Sequence, residues 1–148
     1  SLSSVTRETL YTGAPFLLAG ILLIFLLRWK LNALSLPQEE AQSLGVPVVR
    51  IRTAVILAAA MITAAAVSMC GLIGWVGLLV PHIARMIFGS NNQRVVPASI
   101  GFGAVFLLVI DTAARCVSAA EIPVSILTAI IGAPFFILLL RRTGGFRL

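Results

Sequence analysis

Charge is what this chain has least of. Only 11 % of its 148 residues are Asp, Glu, Lys or Arg and 59 % are hydrophobic, whereas a typical soluble domain is about 25 % charged. Residues 53–84 contain no charged side chain at all, which excludes a water-facing surface over that stretch. About 20 helical residues cross the hydrocarbon core of a bilayer. Thirty-two residues are too many for one span and suit two short ones, with Cys70, Gly71 and Gly74 supplying the turn between them. The chain has one His, two Cys and five acidic residues, of which Asp111 is the only Asp. An intramembrane aspartyl dyad is therefore excluded, and a zinc site lacks ligands, since His82 stands alone. Cys70 and Cys116 have no CxxC spacing and read as packed thiols. No GxxxxGK(S/T) nucleotide loop is present. Aromatic residues make up 7 % and form no cage for a ligand.

What is present is a series of apolar segments with basic ends. The formal charge of +6 does not point to nucleic acid, because the basic residues do not form one stripe. The first apolar run is no signal peptide, since Arg28 and Lys30 follow it. The chain begins at Ser1, which reads as a native start removed or as a piece of a longer protein. The fold expected is all-α, a polytopic transmembrane helix bundle of about five spans, near residues 11–27, 51–69, 72–88, 95–117 and 122–140. Pro15 falls near the start of the first, where a missing N–H is harmless. Pro81 and Pro134 should kink the third and fifth, and the freed carbonyls need partners inside a bundle.

Basic residues set the orientation. With the end of the first span in the cytoplasm, Arg28, Lys30, Arg50, Arg52, Arg85, Arg94, Arg141, Arg142 and Arg147 fall inside, and Arg7 and Arg115 outside. The N-terminus is then outside and the C-terminus cytoplasmic. Small residues are dense from Ala58 to Gly77. They serve tight helix packing or line a wide path, and periodicity does not separate the two.

The longest polar stretch, residues 31–49, lies on the cytoplasmic side. Ser35 and Gln38 have capping-box spacing, with Pro37 in the first turn. Glu39 and Glu40 sit near the positive end of a short helix over residues 36–44. Gly45 can close it in a left-handed conformation, and Pro47 prevents continuation. So short a helix is marginal in water and must lean on the membrane domain or on a partner. Asp111 and Arg115, spaced i, i+4, can form an ion pair within a span. His82 follows Pro81 and reads as packing or hinge. Arg85 should reach the headgroups.

Four motifs in order carry a family resemblance. Residues 34–46, with Ser35, Glu39, Glu40, Ala41, Leu44 and Gly45, resemble the coupling loop of FecCD-type permeases, which belong to the type II ABC importers of iron–siderophores, haem and vitamin B12. Gly74-Trp75-Val76-Gly77-Leu78-Leu79-Val80-Pro81-His82-Ile83-Ala84-Arg85 is similar to that family's Gly-Phe-(Val/Ile)-Gly-Leu-x-x-Pro-His-x-x-Arg signature, with Trp75 where Phe is usual. Residues 111–115 and 121–136 match its closing pattern. The resemblance implies the last five of about ten helices, a permease domain over residues 1–148, and a coupling loop at residues 31–49. It also implies a bacterial inner-membrane location, two cytoplasmic ATP-binding subunits that carry ATP and Mg, and a second permease subunit, identical or related. A periplasmic or lipid-anchored substrate-binding protein would dock near Arg115 and Glu121. No cofactor or catalytic residue is implied for the chain itself. An ion-coupled secondary transporter is the alternative. It would favour several intramembrane carboxylates, and only Asp111 lies well inside a span.

Overall fold

The computed structural model describes residues 2–117 and 122–142. Among them are six α-helices and two short 3-10 turns, Leu2–Ser4 and Ala33–Ser35, with no strand. The helices are α1 (Arg7–Leu31), α2 (Gln38–Ser43), α3 (Val48–Cys70), α4 (Val76–Phe88), α5 (Asn92–Val117) and α6 (Val124–Arg142). Packing runs from α3 to α1, from α1 to α5, and from α5 to α4 and α6, which also touch each other.

Four helices, α1, α3, α5 and α6, are long and apolar enough to cross a membrane. The chain is a multi-pass membrane protein. The third expected span is shorter than its composition implied. α4 has 13 residues, a rise of about 20 Å against about 30 Å of hydrocarbon. Residues 71–75, expected to be mostly helical, are not. Gly71 and Gly74 hold φ of 74° and 84°, in the left-handed region where a side chain is strained, so α3 ends at Cys70 and α4 restarts only after Trp75.

This non-helical stretch lies alongside α6. The Thr128 hydroxyl donates to the Ile73 carbonyl at 2.7 Å, with the Ser125 carbonyl at 3.0 Å, and Thr128 is 1 % exposed. A Cβ on Gly132 would lie 2.6 Å from Trp75 Cβ, so Trp75 occupies the notch that glycine leaves. Thr128 and Gly132 sit about 6 and 12 Å along α6 from its first residue, at the usual helical rise. Irregular backbone at membrane depth must be satisfied inside the protein, and Thr128 does this for Ile73.

α1 begins earlier than expected, at Arg7, because Thr6 and Thr9 form a reciprocal capping box. Pro15 is therefore interior rather than at the start, and the Tyr11 carbonyl loses its helical donor. α1 and α3 are antiparallel and close: Gly20 packs against Ile62 and the Ala58 carbonyl, and Gly13 against Met69. Ala58 is buried while Ala59, Ala60 and Ala64 stay exposed, so the small-residue stripe serves packing on one side only. Just 6 % of the most apolar stretch of α1 and of α3 is buried. Their remaining surface faces outward, to lipid or to further protein.

Candidate functional site

The polar segment folds as a short, firmly terminated helix. Leu36 precedes Pro37, and a residue before proline is pushed out of the helical region. Leu36 is extended (φ −82°, ψ 154°), so α2 starts at Gln38 and not at Leu36. Ser35 is consequently too far back to cap it, and no side-chain cap is formed. Ser35 instead ends the 3-10 turn and is exposed. The expected C-terminus does form. Gly45 has φ 75°; its N–H donates to the Gln42 carbonyl at 2.9 Å, and the Val46 N–H to the Ala41 carbonyl at 3.2 Å. That pair of bonds is a Schellman cap.

One residue anchors α2 from below: Ala41 is 0 % exposed. The surface above it is open. Glu39 and Glu40 are exposed, and Leu44 is 69 % exposed. Eight basic residues share this end of the helices: Arg28, Lys30, Arg50, Arg52, Arg85, Arg94, Arg141 and Arg142. Among the described residues neither glutamate forms an ion pair with any of them. Arg28 is engaged elsewhere, its guanidinium 3.7 Å above the Phe25 ring. Two carboxylates and a leucine are thus presented on a fixed helix, with no partner of their own.

Beside this helix lies a cluster of amides that local sequence patterns did not reveal. Asn91 precedes α5, and its Oδ1 accepts from the Gln93 N–H at 3.0 Å. Asn32, which follows α1, donates from Nδ2 to that same Oδ1 at 2.8 Å. Its own Oδ1 accepts from the Asn92 N–H at 2.8 Å. The Asn92 side chain is buried and faces Arg85, whose Nη2 lies 3.5 Å from Asn92 Oδ1. The Gly89-Ser90-Asn91 stop and start was a readable local signal for an N-cap at Asn91. Nothing local pointed to Asn32, 59 residues away.

The glycine–proline–histidine motif falls on the α3–α4 junction and on α4. Gly74 sits where a Cβ would meet Thr128 Oγ1 at 2.9 Å. Gly77, Pro81 and Arg85 line a groove of about 730 Å³ between α1, α3, α4 and α5. His82 is half-buried and faces a smaller hollow with Trp75, Phe135 and Phe136. Arg85 reaches the helix end, where it is exposed beside Asn92. No group of three or more His, Cys, Asp or Glu able to hold a metal occurs among the described residues.

At the opposite end of α5, Arg115 Nε donates to Asp111 Oδ2 at 2.9 Å. The Arg115 side chain is 61 % exposed and that of Asp111 22 %. The pair is formed, yet most of the guanidinium is free for another contact. It stands about 35 Å from Asn92 along α5 at the helical rise, so the residues of the 31–49 loop and the Asp111–Arg115 pair are not brought together. Glu121 lies outside the described residues.

Residues 1–142 match the FecCD transport family. The chain is 46 % identical to the molybdate import system permease protein MolB of Haemophilus influenzae over 88 % of this chain and 38 % of that protein. It is 38 % identical to the iron-uptake system permease protein FeuB of Bacillus subtilis, over 97 % of this chain and 43 % of that protein. It is 42 % identical to the cobalamin import system permease protein BtuC of Halobacterium salinarum, over 86 % and 34 % respectively. A solved structure assigned to the metal-chelate type of ABC transporter, in an inward-facing conformation, superposes with a TM-score of 0.88 at 42 % identity, covering 93 % of this chain and 44 % of that one. The chain therefore spans about two fifths of the length of the proteins it matches.

Proposed function

This chain belongs to the FecCD transport family, and we propose that it is the ATPase-contacting part of a permease subunit in an importer of metal chelates. The observation that carries the reading is α2: a helix pinned at Ala41 and capped at Gly45, offering Glu39, Glu40 and Leu44 outward. A short helix seated at its middle and capped at its C-terminal end can receive a push as two ATPases close, because coupling needs an element whose position differs between states. Its unpaired carboxylates fit a basic lip on the partner.

The remaining assignments follow from that one. Residues 31–49 form the coupling loop of a permease domain that takes in all of residues 1–148. The Arg-rich end lies in the cytoplasm, by the distribution of basic residues, so the N-terminal end of this segment is outside and the C-terminal end inside the bacterial inner membrane. Two ATP-binding subunits hold ATP and Mg, while the chain itself makes and breaks no covalent bond and binds no cofactor. A second permease copy or related half completes the path. A substrate-binding protein docks outside, with Arg115 offering its exposed guanidinium and Glu121 near the same mouth. Iron-uptake and cobalamin-import relatives, with the metal-chelate-type structural neighbour, favour a metal-chelate substrate.

The test is co-purification of the ATPase subunit with the full-length permease, wild type against Glu39→Lys/Glu40→Lys. Loss of the ATPase from a variant that still inserts is the expected outcome. Undiminished binding would remove the two glutamates from the interface. A wild-type permease that binds no ATPase would revive an ion-coupled carrier.

A further inference from the structure

We propose that Asn32 is a positioning residue for transport: it fastens the coupling loop to the α4–α5 turn, so that a displacement received at α2 reaches α4 and α5 as one movement. The inference rests on the reading of α2 as the ATPase contact. Its own support is the amide cluster. Asn32 ends α1 and opens the Ala33–Ser35 turn, where the Ser35 N–H donates to the Asn32 carbonyl at 3.2 Å. That turn packs against α2. The side chain of the same residue grips the start of α5 twice, at Asn91 Oδ1 and at the Asn92 N–H, both 2.8 Å.

The amide orientations are fixed by the backbone. Asn32 must present oxygen to the Asn92 N–H, and Asn91 must present oxygen to the Gln93 N–H. Only Asn32 Nδ2 is then left to donate to Asn91. Three residues separate α4 from α5, and Arg85 near the end of α4 faces Asn92, so the turn cannot move without both helices. α5 continues unbroken to Asp111 and Arg115 at the other end. A continuous helix gripped at its start, even one that carries Pro97 in its second turn, is a physical route between the two ends, and such a route has to be demonstrated by coupling rather than by adjacency.

The experiment uses the full-length permease assembled with its ATPase subunits in lipid nanodiscs, with native cysteines replaced by serine. Spin labels at Gln42→Cys on α2 and Arg94→Cys on α5 report the distance between the two elements, without nucleotide and with ATP trapped. In the wild type one narrow distance, the same in both states, is expected. In Asn32→Ala or Asn91→Ala the distance should shift or broaden on ATP binding. A residue that merely stabilised the fold would alter both states alike. Asn91→Asp should behave as wild type, because a carboxylate still accepts from Gln93 N–H and Asn32 Nδ2.

A wild-type distance that changes between states overturns the proposal, even if both alanine variants fail to insert. Alanine variants that insert and match the wild type in both states overturn it as well. Should the ATPase not co-purify with the wild type, the coupling reading itself fails and this inference with it; co-purification with a loose α2–α5 distance sinks the inference alone.

Discussion

Along the contact between α1 and α3, two long helices approach at Gly13 and Gly20, where the missing side chain leaves room for Met69 and for Ile62 respectively. Along the contact between α4 and α6, an interrupted segment meets a continuous helix. There Trp75 fills the notch at Gly132, and a main-chain carbonyl is satisfied by Thr128. The first contact relies on close packing alone, which is what remains between helices when the solvent is as apolar as the side chains. The second has to do more, because each unsatisfied backbone group in hydrocarbon costs several kcal/mol (about the loss of a full hydrogen bond or more). Regular helices in lipid can tolerate imperfect neighbours, whereas a broken one depends on particular atoms elsewhere in the chain.

Substitutions can break or sharpen that contrast, read as unfolding free energy of the full-length permease in detergent. Gly132→Leu has the largest expected effect, about 3 kcal/mol of destabilisation, because the side chain would overlap the base of Trp75 near the backbone, where little can yield. Thr128→Val should cost about 1–2 kcal/mol, since the Ile73 carbonyl loses its donor while shape is kept. Thr128→Ser, which retains the hydroxyl, should recover most of this. Gly13→Ala should cost least, about 0.5 kcal/mol, because the flexible end of Met69 can swing aside. A Gly13→Ala loss larger than that of Thr128→Val would erase the distinction between the two contacts.

The contrast also explains what could be read without coordinates. The charge-free run of residues 53–84 and its glycines located a break near residue 71, because both signals are local. The length of α4 was hidden: an apolar residue scores alike whether helical or extended, and what lets residues 71–75 stay irregular is a hydroxyl 55 positions later. Gly45 and Pro47 ended α2 as expected, since a cap is decided by its immediate neighbours. Ser35 misled because its capping-box spacing ignored what Pro37 does to Leu36. The Asp111–Arg115 pair was legible from helical spacing alone. Asn32 was not, for its partners are set by how α1 and α5 lie together.

The bond between Thr128 and Ile73 also has a history in time. When residue 73 leaves the ribosome, residue 128 has yet to be made, and at about 5–20 residues per second the 55 intervening residues take roughly 3–11 seconds of synthesis. Through that interval the Ile73 carbonyl lacks the Thr128 hydroxyl that donates to it. The carbonyl before α4 is therefore satisfied only once α6 has been made, so α4 depends on a helix synthesised two elements after it.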